Sequence, residues 1–164
     1  MKRALAAAAA AAVAAVATGA AWLVRGLTAA ALLVLGWQVF MRSVLASPPS
    51  WSEEVALLAF TWAVLLAVAC GVRDGIHVRM DLLLDRLPAP ARVAMERALL
   101  LATAFVGGYL AWAGAGYAAA SADTTSAATA YPMPLLYASA VACGALILLF
   151  ALERLLLGAP ASQA

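Results

Sequence analysis

Charge is scarce in this sequence. Only 11% of its 164 residues are Asp, Glu, Lys or Arg, against 67% hydrophobic residues and a mean hydropathy of +1.00. A soluble domain carries about 45–50% apolar residues, and no interior of this size hides the excess. The composition excludes a soluble domain and describes an integral membrane protein. Histidine is almost missing: with His77 alone, a haem held between two histidines of this chain is excluded. Two cysteines, Cys70 and Cys143, have no CxxC spacing and read as small apolar packing residues, not as a disulfide or a metal site. There is no glycine-rich phosphate loop and no nucleophile–base pair. The apolar segments also lack the buried acid that a proton- or sodium-coupled pathway often shows. Taken alone, the chain is poor material for a transporter. Its net charge of +2 points to no nucleic acid, and the placement of the arginines is more informative.

What is present is an all-α membrane pattern. Four apolar segments, at about 26–45, 55–72, 98–117 and 135–152, each approach the ~20 residues that a helix needs to cross a bilayer. Together they make a four-helix membrane domain over residues 25–157. A short tail follows at 158–164, and an Ala-rich tract opens the chain at 1–24. A cleaved signal peptide is the rival reading of that tract, with Lys2 and Arg3 as its basic start. Cleavage would leave four spans with the arginines of 73–97 outside, which inverts the positive-inside rule. The tract is therefore expected to be a helical cytoplasmic or interfacial extension. Lys2, Arg3, Arg25, Arg73, Arg79, Arg86, Arg92, Arg97 and Arg154 fall on one side, whereas the loops 46–52 and 118–134 hold no Lys or Arg. Both termini are expected in the cytoplasm. Trp22, Trp51, Trp112, Tyr117, Tyr131 and Tyr137 form an aromatic belt near the span ends, while Trp37 and Trp62 lie deeper, against the bundle or a partner. Gly107, Gly108, Gly114 and Gly116 offer close helix contact.

The chain is organised around residues 51–88. Trp51, Glu53 and Glu54 precede the uncharged stretch 55–72, and the sequence then turns polar at Arg73, Asp74 and Gly75. From there Ile76, Met80, Leu83, Leu84 and Leu87 recur at helical spacing, with Asp74, His77, Asp81 and Asp85 on the other side. That pattern predicts an amphipathic helix over about 76–87 lying in the membrane interface, between the second and third spans and stopped by Pro88 and Pro90.

Several of these residues invite a chemical reading. Glu53 and Glu54 are paired acids of the kind acid–base catalysis uses. At the start of a span they also complement the helix dipole, with Ser52 as a cap. Arg42, near the far end of the first span, is expected to pair with one of them across the short 46–52 loop. Asp74, His77 and Asp81 share a helical face, yet the surrounding arginines make local salt bridges the better reading than a metal site.

Arg42, Trp51, Glu54, Trp62, Arg73, Gly75, His77, Asp81 and the Leu87–Pro88 pair also carry a resemblance. Their spacing resembles that of the small membrane subunit, the DctQ-type subunit, of the tripartite ATP-independent periplasmic (TRAP) transporters. Leu57 and Ala67 depart from that pattern, which commonly has a basic residue and a glycine there. The resemblance implies a non-catalytic scaffold in a bacterial inner membrane, without a cofactor of its own. Its implied partners are membrane lipid, a large permease subunit that carries substrate and sodium sites, and a periplasmic solute-binding protein that delivers an organic acid. Arg42, Trp51, Glu53, Glu54, Trp62, Arg73, His77 and Asp81 are then candidates for structure and for the partner interface. Two alternatives are the small subunit of a tripartite tricarboxylate transporter and the membrane anchor of a redox enzyme.

Overall fold

A computed structural model describes residues 2–47, 49–74 and 88–157. It is all-helical, as expected, with α1 over Lys2–Val44, α2 over Trp51–Asp74, α3 over Ala89–Ala120 and α4 over Pro134–Leu157. Each of the four contains a segment long and apolar enough to cross a membrane. The predicted interfacial helix at 76–87, with His77 and Asp81, and the tail at 158–164 lie outside the described residues.

The 43 residues of α1 form one unbroken helix. Alanine has the highest helix propensity of any residue, so nothing in the Ala-rich tract interrupts it before the first span. At 1.5 Å per residue it is about 65 Å long, twice the ~30 Å hydrocarbon core. The bundle reaches back into the tract, since Ala17 and Ala20 are buried. Ala46 ends the helix with φ at 50°, where the chain reverses and the Leu45 and Ser47 amides both donate to the Met41 carbonyl. Ser52 lies inside the first turn of α2, not before it, and its hydroxyl donates to the Pro49 carbonyl at 2.7 Å. The expected cap is thus replaced by a bond that fastens the loop. At α3, Pro88 supplies the extended cap residue and Pro90 falls in the first turn, where a missing N–H costs nothing.

α1 and α2 pack as one antiparallel hairpin and α3 and α4 as another, and the two are joined mainly where α2 meets α4. α3 leans on α4 and, among the described residues, makes no comparable contact elsewhere. Its seam with α4 is set by glycine. A Cβ at Gly107 would stand 2.9 Å from the Leu148 backbone nitrogen, and one at Gly144 would strike the Gly107 carbonyl and the Ala111 backbone. Gly107 and Gly114 therefore make the close contacts read from the sequence, whereas Gly108 and Gly116 face open space. One apolar cluster gathers Ala17 of α1, Ala69 and Val72 of α2, and Cys143, Ile147 and Phe150 of α4. Phe150 is the largest fully buried side chain among the described residues, and Cys70 and Cys143 are both free thiols.

Candidate functional site

The polar chemistry among the described residues gathers at the end of the bundle where α2 begins. Two connections lie at that end, 45–50 between α1 and α2 and 121–133 between α3 and α4. The second folds on itself. The Ser126 amide donates to the Tyr131 carbonyl, the Met133 amide to the Thr124 carbonyl, and Thr125 and Pro132 form an antiparallel bridge. Its tip turns tightly because Ala130 takes φ of 54°, a left-handed conformation that is costly for alanine.

Glu54 fills the inside of that tip. Its Oε1 accepts the Ala128 amide at 2.9 Å. Its Oε2 accepts the Thr129 amide at 2.9 Å, the Thr129 hydroxyl at 2.8 Å and the Ser126 hydroxyl at 2.6 Å. Successive backbone N–H groups pointing into one concavity make a natural anion cradle, and four donors match the acceptor capacity of an ionised carboxylate. The two hydroxyls also contact each other at 2.8 Å. Burial, and then the Glu54 charge, push the Tyr131 phenol above its ordinary value.

Two more bonds brace the helices around this point. Gln38 of α1 donates its side-chain amide to Glu53 Oε1 at 2.9 Å. The Trp62 indole N–H reaches the Leu135 carbonyl in the first turn of α4 at 3.0 Å. Glu53, Glu54 and Trp62 therefore work as fasteners that join α2 to α1, to the α3–α4 turn and to α4 respectively. Trp51 stands exposed at the start of α2. Among the described residues the expected pairing of Arg42 with an acid is not formed. Arg42 is exposed, and among the described residues the two carboxylates take Gln38 and the 126–129 turn instead. Arg73 lies at the opposite end of α2, its guanidinium 6.0 Å from the Phe150 ring centroid. Among the described residues no three His, Cys, Asp or Glu side chains gather as metal ligands would.

Gln38, Ser126 and Thr129 escaped the sequence reading. Nothing in a run of small polar residues says that its backbone amides will converge on an acid from a distant helix. The one available hint was the absence of Lys and Arg from that loop, which leaves hydroxyls and amides to meet the charge.

The sequence matches the family described as the DctQ component of the tripartite ATP-independent periplasmic transporters over residues 31–160. It is 38% identical to the sialic acid TRAP transporter small permease protein SiaQ of Vibrio cholerae over 76 residues, 46% of this chain and 44% of the relative. It is 37% identical to the C4-dicarboxylate TRAP transporter small permease protein DctQ of Rhodobacter capsulatus over 89 residues, 53% of this chain and 39% of that one. A third match, 37% over 71 residues, covers 43% of this chain and 12% of the sialic acid TRAP transporter permease protein SiaT of Haemophilus influenzae. Each match spans less than half the length of the relative.

Proposed function

The chain belongs to the DctQ component family of the tripartite ATP-independent periplasmic transporters, and from that membership we propose that it is the small membrane subunit of such a transporter, scaffolding a larger sodium-coupled permease subunit. The family match over residues 31–160 carries this reading, because it takes in the three fasteners and the α3–α4 seam. The match to SiaT supports the partner: a segment like this one makes up only 12% of that permease protein. The relatives named for sialic acid and for C4-dicarboxylates support an organic acid as the transported solute, delivered by a periplasmic solute-binding protein. The chain's own part is mechanical. Bonds at one end and packing at the other hold four helices as a frame, and the frame limits how the larger subunit tilts in the inner membrane. Arg73, His77 and Asp81 orient the connection between α2 and α3.

Reconstitution tests this. The chain, a large TRAP-type permease subunit and a solute-binding protein from the same genome are placed in vesicles with a sodium gradient. Uptake of the organic acid is expected to need all three and to collapse with the gradient. Full uptake without this chain would refute the scaffold role.

A further inference from the structure

The side of α1 turned away from the bundle is well exposed, and it carries a charge. On α1 the buried Ala17, Ala20 and Ala31 and the half-buried Val24, Leu27 and Gln38 recur at helical spacing and mark the packed face. Trp22, Arg25, Ala29, Leu33, Gly36 and Phe40 fall on the opposite face, and all are exposed. Two tie points fix the height of Arg25. Ala17 shares a packed cluster with Val72 and Phe150 at one end, and Gln38 bonds Glu53 at the other. Arg25 stands between them, about 12 Å along the helix from Ala17, beside the uncharged stretch 55–72 of α2 and not at the cytoplasmic margin where the charge census set it. Its guanidinium rests 4.8 Å from the Trp22 ring centroid, which meets the charge from one side. Among the described residues no carboxylate is bonded to it. A guanidinium at that height facing only hydrocarbon is costly. Around it the helix is slim, since a Cβ at Gly26 or Gly36 would meet nothing within 4 Å, so a second helix has room for close approach.

Resting on the small-subunit reading above, we propose that this outer face of α1 docks a transmembrane helix of the large subunit, and that an acidic side chain of that helix meets Arg25. Charge sets this face apart from the other exposed apolar faces, that of α2 with Leu57, Phe60 and Val64 among them. The exposed face of α3 presents Leu101, Phe105 and Trp112, which lipid covers without penalty. Among the described residues, only the α1 face sets a cation beside an uncharged stretch of the neighbouring helix, since the exposed Arg97 of α3 lies toward the start of that helix.

The test uses the complete complex in native membranes. A photo-crosslinking phenylalanine analogue is placed at Trp22 or Leu33, and at Phe105 for comparison. Adducts with the large subunit are expected from positions 22 and 33 and not from 105. Arg25→Gln is expected to lower the recovered complex fivefold or more, and Arg25→Lys to restore at least half. Adducts from 105 alone, adducts from 22 and 33 with lipid or a second copy alone, or full recovery of the Arg25→Gln complex would each overturn the proposal. A wild-type chain that recovers no large subunit defeats the small-subunit reading and this inference together. A complex that forms through α3 defeats this inference alone.

Discussion

Thr129 meets Glu54 twice: its backbone N–H and its hydroxyl both reach Oε2, at 2.9 and 2.8 Å. One residue thus fixes both the backbone of the α3–α4 turn and the carboxylate from α2. Backbone bonds close the base of the turn, whereas inside its tip, strained at Ala130, Glu54 supplies the bonds. Glu54→Gln would set an NH2 donor where only acceptors fit, so a donor must turn away and the tip opens. The Ala128 and Thr129 amides are expected to exchange with solvent about tenfold faster in the variant, as local opening predicts. Hydrogen exchange read by mass spectrometry on the 121–133 peptide checks this, and unchanged protection there would remove Glu54 from the role of fastener.

Arg42 should be silent in the same assay. It is exposed and bonded to neither acid among the described residues. The losses from Arg42→Ala and Glu54→Ala are therefore expected to add within about 0.5 kcal/mol in a double-mutant cycle on thermal stability, as independent sites do. Coupling well beyond that would restore the ion pair.

That contrast shows what the sequence could and could not disclose. The four spans were legible because the length of an apolar run has one dominant meaning in a bilayer. Glu53 and Glu54 were legible as helix-start acids because they stand in the first turn of α2. Their partners were not. An arginine near two acids invites an ion pair, while the competing donors are a glutamine on α1 and backbone amides that exist as a site only once the turn has formed. The Ala-rich tract hid a boundary for a related reason, since poly-alanine packs, spans or projects with equal ease. Gly107 and Gly114 could be told from Gly108 and Gly116 only after α4 was placed beside them.

The Trp62 indole bond is a single neutral hydrogen bond from α2 to the Leu135 carbonyl. Trp62→Phe keeps most of the apolar body and removes the donor. A stability loss of about 1 kcal/mol is expected, readable as a lower melting temperature of the purified chain. A variant that melts with the wild type would mean that the indole packs without bonding.

The arginines predict the orientation. Cysteines introduced at Ser50 and Ser126 are expected to react with an impermeant thiol reagent applied from the periplasm, and one at Ala89 is not. Both loops of the first pair lack Lys and Arg, whereas Ala89 precedes Arg92 and Arg97. Periplasmic labelling at 89 would invert the topology and bring back a cleaved leader as the reading of the Ala-rich tract.

The α3–α4 seam gives the sharpest contrast between two chemically identical changes. At Gly144 an added Cβ meets the Gly107 carbonyl and the backbone of Ala111, all main chain that no rotamer change can move aside. The helices must separate, and overpacking of this kind costs about 1–3 kcal/mol. At Gly108 the same Cβ meets nothing within 4 Å, and replacing a mid-helix glycine with alanine favours the helix by roughly 0.5–1 kcal/mol. Gly144→Ala is therefore expected to lower the melting temperature and to weaken a cysteine cross-link engineered across the seam. Gly108→Ala is expected to leave the cross-link intact and the melting temperature equal or higher. If both variants behave alike, α3 and α4 are not in backbone contact. The frame would then depend on α2, with a smaller share from α1, to hold α4, because among the described residues α3 has no other substantial contact to take up the load.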